Sequence, residues 1–492
     1  MENCDILIIT PPRRAVFINT IVHNFPPPSQ GIDSVPLRLA AVLQKVYHVA
    51  FLPFYLLFYN YHEINTQSIL SYLKAYNPKV IIFSTDYLIS NRSTACFPSS
   101  LRIAAICKEI FPKVKIVCTG KHALANPESF FASKKPLVDL VINQEPEDFI
   151  CDAVAKLLKD PLGQLLELPN IYLYESGEVF KSKFSVKPPN VDSLPSPAYN
   201  LLIPHIESIL EHEKPYDRKL SLTLRTSYGC PYECPYCAGI SHWRNYRKRS
   251  GKNVSLDLTA AIKYLGDDAE FTFLDDELFT FDPEHVKEIA CVFISYKIKL
   301  QGVLTHVKHF DSSMAKIISK FCHSVIFGAE NFNDQILSSM KNQQSFDDII
   351  KACQLAKLYG ISTRLEFIAG LPEENWESIV YNLNQIYNLI CEGFADEIIP
   401  YVLTPHPGTL IGTSPELFGM TIVSSDYEKY IEEGGFPVCY TKNLSREQIF
   451  IYYLLIKQIS SMSRNMKSYA KINDFELSNA NYDSELFKKY VL

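Results

Sequence analysis

The sequence predicts an α/β protein: a doubly wound, flavodoxin-like parallel sheet domain, then a partial (β/α)6 barrel and a mostly helical C-terminal region. Two observations carry this prediction. Short apolar runs alternate with helical stretches in two separate series, which is typical of parallel strands covered on both faces. A proline-rich segment, VKPPNVDSLPSPAYN, lies between the two series. We therefore place the first domain at 1–160, a connector at 161–215, the barrel at 216–411 and the helical region at 412–492.

Composition supports large buried cores. The chain has 492 residues, of which 47% are hydrophobic and 21% charged, with a formal net charge of −6. This balance excludes a disordered chain and disfavours a protein that grips nucleic acid through bulk positive charge. The acidic start MENCDILIIT does not resemble a signal peptide, and the longest apolar stretch, 49–59, is too short to span a bilayer. We expect a cytoplasmic protein without a membrane span.

The first series predicts an open parallel sheet. Its strand-like runs are 6–9, 48–54, 79–84, 115–119 and 137–142, with helical stretches at 34–46, 67–76, 99–111 and 147–158. A hairpin is predicted at 171–181, in the connector, with Ser176 and Gly177 at its turn. Ligands of such sheets bind beyond the carboxyl ends of the strands. Polar residues stand at these ends, including Ser84, Thr85, Thr119, Gly120, His122 and Glu145.

The second series predicts six βα units. Its strands are expected at 220–226, 270–274, 300–306, 324–327, 363–368 and 397–403, with helices such as 333–340, 345–359 and 376–390 between them. Such a series reads as a partial barrel whose chemistry lies where the strands end. Beyond it, 445–461 is predicted to be helical.

Three cysteines follow the first barrel strand directly, in the segment CPYECPYC. Cys230, Cys234 and Cys237 lie within eight residues of one another and can converge on one centre. Three thiolates hold a [4Fe–4S] cluster with one iron left open, whereas a zinc ion would need a fourth ligand, for which His242 is the candidate. The other ten cysteines are scattered through apolar segments and are predicted to be reduced, buried and structural.

These cysteines, with Tyr236 before the third, match the CxxxCxxC signature of the radical S-adenosylmethionine (SAM) superfamily. The rest of the chain resembles the branch that carries an N-terminal cobalamin-binding domain. The segments that carry this resemblance are FLDDELF (273–279), FGAEN (327–331) followed by Lys341, FIAGLPEE (367–374), PHPGT (405–409) and the turn TGKH (119–122). Two departures concern the family's Arg-Gly-Cys, here Tyr-Gly-Cys, and its Gly-Gly-x-His turn, here Thr-Gly-Lys-His.

The resemblance implies three cofactors. A [4Fe–4S] cluster would be bound by the three cysteines, and no catalytic residue is implied. SAM would contact Tyr236, Asp275, Asp276, Glu330 and Gly370. Cobalamin would lie between the sheet edge and the barrel mouth, against Ser84, Thr85, Thr119, Gly120, His122 and Glu145. We expect no histidine on its cobalt.

Several of these residues have simpler interpretations. Asp275 and Asp276 are also typical of helix caps. Glu330 and Lys341 could form a surface ion pair. Gly370 could serve only a turn, and His122 could be hydrogen-bonded within its own turn.

The implied activity is methyl transfer to an unactivated carbon of a peptide or natural product, through methylcobalamin and a deoxyadenosyl radical. The alternatives are a non-methylating cyclase or rearrangement enzyme with the same cofactors, and a non-enzymatic iron–sulfur or cobalamin sensor. The expected partners are the substrate, a small molecule or peptide, and a reductase, flavodoxin or ferredoxin that donates electrons. A basic run follows the cysteines, and we interpret it as a solvated surface rather than a nucleic-acid site; it comprises Arg244, Arg247, Lys248, Arg249 and Lys252.

Overall fold

The computed structural model describes residues 4–12, 31–57, 66–86, 93–133, 135–159, 162–214, 217–241, 245–341 and 343–470.

The first sheet has seven strands, which occur in the order β2-β1-β3-β4-β5-β6-β7. Their bounds are β1 (Ile6–Ile9), β2 (Val49–Leu52), β3 (Val80–Ser84), β4 (Lys115–Thr119), β5 (Leu140–Ile142), β6 (Ile171–Glu175) and β7 (Glu178–Lys181). The first five strands are parallel, in the flavodoxin-like order that the sequence predicts.

Continuous apolar strands explain why this sheet is covered on both faces. Every residue of β1, β2 and β3 is buried, as expected for a parallel sheet between helices. The helices of this part are Ser34–Leu43, Phe54–Leu57, Thr66–Leu73, Ser93–Ile110, Lys121–Ala125, Ile150–Lys159 and Leu162–Leu165.

The hairpin predicted at 171–181 forms, and it belongs to the first sheet. Strand β6 pairs antiparallel with β5, and β7 pairs antiparallel with β6. The predicted parallel sheet is therefore extended at this edge by two antiparallel strands from the segment predicted to be a connector. Period-2 runs cannot reveal which existing strand a hairpin joins. A further helix, Ile206–Glu213, precedes the second sheet series.

The second series forms the six strands that the sequence predicts. They are β8 (Leu220–Leu224), β11 (Ala269–Leu274), β12 (Val303–Thr305), β13 (Ser324–Glu330), β14 (Ser362–Ala369) and β15 (Glu397–Val402). Strand β11 pairs parallel with β8. Strands β12, β13, β14 and β15 form a second parallel set, each paired with the next, and a bridge between Phe273 and Gly302 connects the two sets. The helices are Gly251–Leu265, Pro283–Ser295, Ser312–Ile318, Asp334–Met340, Phe346–Leu358 and Trp376–Cys391. This is the partial barrel.

A small hairpin flanks the cysteine segment. Strand β9 (Ser227–Tyr228) precedes the cysteines and pairs antiparallel with β10 (Arg247–Lys248), which follows them. The hairpin therefore brings the two ends of the cysteine segment side by side.

The C-terminal region is less helical than predicted before residue 446. A short helix, Leu410–Thr413, is followed by the antiparallel strands β16 (Met420–Ile422) and β17 (Cys439–Thr441). The predicted helix then forms at Arg446–Ala470, and the remainder of the prediction lies outside the described residues. None of the helices described here is both long and apolar enough to cross a membrane.

Seven of the ten scattered cysteines are buried, as the sequence predicts. Cys151 is half-buried, and Cys291 and Cys391 are exposed, so the prediction of burial is wrong for these last two. Both are on the outer helices of the barrel, where an apolar neighbourhood in sequence does not determine which helix face a residue occupies.

The two α/β parts are joined by paired backbone and buried charge. The Ile32 backbone donates to Ser221 O at 2.7 Å and accepts from Thr223 N at 3.2 Å. Ile32, from the first part, therefore pairs alongside β8 of the barrel. Arg38 contacts Asp257 of the barrel at 2.7 Å, and Asp257 also pairs with Arg249 at 2.7 Å. All three side chains are fully buried. This join holds the carboxyl edge of the first sheet against the barrel.

Candidate active site

The cysteine loop opens into a cavity at the carboxyl ends of the barrel strands. Cys230, Cys234 and Cys237 all line this cavity. Local hydrogen bonds shape the loop: Cys237 N donates to Cys234 O at 2.9 Å, and Ile411 N donates to Pro235 O at 3.2 Å. The structure thus brings together the three cysteines that the sequence singles out.

The donor set fits a cluster that keeps one iron free. Burial raises the pKa of Cys230 to about 11 and also raises the pKa of Cys234, so both are protonated thiols when no metal is bound. A bound metal centre reverses this and deprotonates its thiol ligands. Three sulfur atoms facing one cavity satisfy three irons of a [4Fe–4S] cluster. Among the described residues, no three His, Cys, Asp or Glu side chains surround a position for a single metal ion. His242, the candidate zinc ligand, lies outside those residues.

Glu330 and Lys341 form an ion pair in the cavity wall. The Nζ–Oε1 distance is 2.9 Å, and both side chains are about nine-tenths buried. Lys341 Nζ also donates to Gly328 O. Burial alone would lower the pKa of Lys341, but the facing Glu330 carboxylate raises it, so the ammonium group stays charged. The pairing expected from the sequence exists, but its placement on the surface is wrong.

Glu330 also has an unusual backbone. Its φ of 64° lies in the left-handed region, which a residue with a Cβ adopts only at a cost. Such strain is concentrated at functional sites, and here it turns the end of β13 toward the cavity. Glu330 therefore remains a predicted SAM contact, with its position in the cavity wall in support.

Asp275 and Asp276 hold the end of the first barrel strand. Asp276 accepts hydrogen bonds from Thr226 N at 2.7 Å and Ser227 Oγ at 2.9 Å, and Asp275 pairs with Arg225. Neither caps the next helix, since Asp282 caps Pro283–Ser295. Both brace the strand that leads into the cysteine loop, whereas their neighbour Glu277 lines the cavity. Their predicted contact with SAM stays a prediction.

Gly370 and Tyr236 differ in their relation to the cavity. Tyr236 is buried and lines it. Gly370 has a φ of 96°, and a Cβ there would lie 2.7 Å from the side chain of Ile449, in the last helix. The glycine thus permits close packing of the end of β14 against that helix. Ile368, two residues earlier, lines the cavity instead.

Several cavity residues escaped the sequence analysis: His306, Glu366, Tyr401, Thr404 and Glu432. His306 directly follows β12 and Thr404 lies two residues beyond β15, so the rule that ligands bind at strand ends could have found them. Glu366 and Tyr401 lie within strands, where their hydrogen bond, 3.1 Å long, depends on the register between β14 and β15. Glu432 comes from the C-terminal region and carried no signal in the sequence.

The carboxyl edge of the first sheet offers polar groups that lack partners. The hydroxyls of Thr10 and Thr119 are buried, and neither has a hydrogen-bond partner within the described part of the chain. Thr85 and Ser84 are satisfied, by Thr119 O at 3.0 Å and Asp86 Oδ2 at 3.0 Å. Two orphaned hydroxyls at strand ends fit a bound polar cofactor such as cobalamin. Residues 13–30 and 87–92, which follow β1 and β3 in the sequence, lie outside the described residues.

Gly120 is required by packing within the first sheet. Its φ is 103°, and a Cβ would lie 2.7 Å from Asp86 N. The small residue thus allows this turn to pack against the neighbouring strand end. The predicted contact of Gly120 with cobalamin stays a prediction.

His122 is buried and its ring is held from both sides. Nδ1 lies 3.1 Å from Thr94 Oγ1 and Nε2 lies 3.1 Å from Ser129 Oγ. The rings of Phe97 and Tyr427 pack against it at centroid distances of 4.5 and 5.3 Å. Both ring nitrogens of His122 already have partners, and the expectation that no histidine binds cobalt stays a prediction. Its predicted contact with cobalamin is not supported by any exposed ring atom.

Glu145 connects the first sheet to the cysteine loop. It forms a two-pronged ion pair with Arg247, at 2.9 and 2.6 Å. Arg249 is fully buried, and Lys248 pairs with Asp282. The interpretation of this basic run as a solvated surface is therefore wrong for Arg247 and Arg249, because a run of charges in sequence does not reveal buried partners. Arg244 lies outside the described residues.

Comparison with known proteins shows what the chain is similar to. Residues 224–386 match the sequence model of the radical SAM superfamily. A structure of the radical SAM methyltransferase TsrM from Kitasatospora setae, with cobalamin and a [4Fe–4S] cluster bound, shares the fold with a TM-score of 0.66. That match has 14% identity and covers 98% of this chain and 94% of TsrM.

The chain resembles the cobalamin-dependent branch of the radical SAM superfamily, in sequence over residues 224–386 and in fold over most of its length. The cofactors of that branch are a [4Fe–4S] cluster, SAM and cobalamin. Two curated relatives are more similar in sequence. An uncharacterised methyltransferase of Pyrococcus horikoshii is 26% identical over 75% of this chain and 76% of its own length. The anaerobic magnesium-protoporphyrin IX monomethyl ester cyclase of Rubrivivax gelatinosus is 24% identical over 72% of this chain and 62% of its own length.

Proposed function

We propose that this radical SAM enzyme transfers a methyl group to an unactivated carbon of a peptide or natural-product substrate. When bound, the cluster and SAM supply radical chemistry and cobalamin supplies a carrier for the methyl group. The protein's own work is to bind these groups, orient them and exclude water. The observation that carries the proposal is the cavity in which the three cysteines meet the buried Glu330–Lys341 pair.

The cavity walls suit this work. The Glu330–Lys341 pair is almost completely removed from solvent, so its charges act in a medium of low polarity. The Glu330 carboxylate can accept hydrogen bonds from ribose hydroxyls. Asp276, through Thr226 and Ser227, fixes the strand end that carries the cysteine loop. Such pre-positioned groups need no rearrangement when a ligand enters.

Methyl transfer is favoured by the relatives. Both the protein from Pyrococcus horikoshii and TsrM are named methyltransferases. The second candidate is a cyclase or rearrangement enzyme that uses the same cofactors without methylating its substrate, and the cyclase of Rubrivivax gelatinosus supports it. Electrons would come from a flavodoxin, ferredoxin or reductase.

The two candidates differ in the products formed from SAM. Protein reconstituted without oxygen with iron, sulfide and hydroxocobalamin is mixed with SAM and dithionite, and the products are separated by chromatography. A methyltransferase forms S-adenosylhomocysteine as well as deoxyadenosine. Formation of deoxyadenosine alone supports the cyclase. Absence of both products supports a sensor. A variant in which Cys230, Cys234 and Cys237 are all alanine serves as control and is expected to form no deoxyadenosine.

A further inference from the structure

His306 is one of three cavity-lining residues, with Tyr236 and Glu277, that have a buried polar atom without a hydrogen-bond partner among the described residues. His306 follows β12 and is 4% exposed. Its Nε2 has no hydrogen-bond partner among the described residues, and the residue lines the cysteine cavity. The Glu330, Glu366 and Glu432 side chains of the same cavity bond to Lys341, Tyr401 and His406. Leaving a buried polar group unpaired is costly, so its partner is expected to come from a bound molecule.

The hydrogen bond at the other ring nitrogen fixes what Nε2 can do. His306 Nδ1 accepts from the backbone N–H of Lys308 at 3.2 Å, in the turn that follows the strand. A nitrogen that accepts carries no proton, so the proton of the neutral ring is on Nε2. Burial and the nearby Lys341 cation lower the pKa of His306 to about 3, which keeps the ring neutral. Nε2 is therefore a buried hydrogen-bond donor on a residue that lines the cavity.

The ring is held by the cysteine loop itself. Tyr232, between Cys230 and Cys234, stacks on His306 with a centroid distance of 4.6 Å and an interplanar angle of 18°. The Tyr232 hydroxyl is in turn bonded to His309 Nε2 at 2.8 Å. His306 is thus packed against the segment between two of the predicted cluster ligands, and it lines the same cavity as they do. SAM offers such a donor carboxylate oxygens, ribose oxygens and ring nitrogens as acceptors.

We infer that His306 donates a hydrogen bond from Nε2 to an acceptor atom of SAM. This inference rests on SAM binding, a part of the proposed function, and is independent of methyl transfer. Two substitutions separate the donor from the ring. His306→Phe keeps a ring that can stack on Tyr232 but has no donor. His306→Asn keeps an oxygen that can accept from Lys308 N and an amide that can donate.

The test measures the dissociation constant of SAM by equilibrium dialysis with anaerobically reconstituted protein. Removing one hydrogen bond to a buried ligand is expected to raise this constant about tenfold in His306→Phe. His306→Asn is expected to recover most of the affinity. The matched control is His323→Phe. His323 is exposed and immediately precedes β13, at the opposite end of this strand from Glu330. This variant should bind SAM as the wild type does.

The outcomes are distinct. If the wild type binds no SAM although its cluster is intact, the proposed function fails. If the wild type binds SAM and His306→Phe binds it equally well, the inference about His306 is wrong. An equal loss of SAM affinity in His306→Phe and His306→Asn, with melting temperatures and iron content unchanged, would also contradict the inference. The loss would then not come from removal of the hydrogen-bond donor.

Discussion

Two buried histidines, each placed beyond a strand end, distinguish the two α/β parts of this protein. His122, in the first part, has both ring nitrogens hydrogen-bonded and aromatic rings around it. His306, in the barrel, has one nitrogen bonded, and the other has no partner within the described residues. The sequence drew attention to the first and overlooked the second. A satisfied buried histidine stabilises the fold, whereas an unsatisfied one in a cavity indicates a ligand.

The largest expected effect concerns the barrel edge. Replacing Cys230, Cys234 and Cys237 together by alanine should remove the cluster, because these sulfur atoms line one cavity. Iron and sulfide, at about four per chain in the reconstituted wild type, should fall to background. The visible absorbance of the cluster should be lost in parallel.

A matched variant sharpens this test. Cys107, Cys322 and Cys353 are also buried, but lie in the hydrophobic cores of the first part and of the barrel. Replacing them by alanine should leave the cluster intact. A full cluster in the first variant would show that other ligands hold it.

The next effect concerns the join between the two parts. Asp257→Asn removes the carboxylate that Arg38 and Arg249 share, and so leaves two buried guanidinium groups without this counter-charge. Breaking such a buried arrangement is expected to lower the free energy of unfolding by about 3–5 kcal/mol. Chemical denaturation followed by circular dichroism measures it.

This effect should depend on pH in one direction. Burial by itself raises the pKa of Asp257, but the Arg38 and Arg249 guanidinium groups outweigh it and hold the pKa below its ordinary value. A carboxyl group with a depressed pKa stabilises the fold above about pH 4, and that contribution is lost as the pH falls through the folded-state pKa. The difference between wild type and Asp257→Asn should therefore shrink in acid. A difference that grows in acid would contradict the assignment.

A smaller effect is expected from Lys341→Met in the cavity wall. It leaves Glu330 buried without its partner, and the free energy of unfolding should fall by about 3 kcal/mol. Part of this loss should be recovered in the double variant with Glu330→Gln. The matched control is Lys351→Met, because Lys351 forms an exposed ion pair with Asp347. Its denaturation midpoint should equal that of the wild type; an equal effect of both lysines would show that burial is irrelevant.

The smallest expected effect concerns the other histidine and cobalt. In His122→Ala, the electron paramagnetic resonance spectrum of the cob(II)alamin form should be unchanged, because both nitrogens of His122 bond to Thr94 and Ser129. The variant should nevertheless lose about 1–3 kcal/mol of stability, since those hydroxyls lose their partner. Nitrogen superhyperfine splitting that disappears in the variant would identify His122 as a cobalt ligand and break the comparison with His306.

Local patterns predicted most of the architecture. The six barrel strands, the five parallel strands of the first sheet and the hairpin at 171–181 were all readable, because the spacing of apolar residues reports secondary structure directly. The cysteine triplet was equally readable, since its three members are neighbours in sequence. The sequence did not reveal the partners of these segments. The hairpin joins the first sheet, and Arg249 lies buried beside Asp257.

The sequence by itself determined the two α/β series and the three cysteines at the first barrel strand. Only the tertiary structure decided which side chains face the cysteines, and it selected His306, Glu366 and Glu432 from distant segments. It also placed Glu330 and Lys341 in the cavity wall rather than on the surface. The physical reason is that short-range periodicity fixes elements, whereas burial and the pairing of polar groups depend on contacts between residues far apart in the chain.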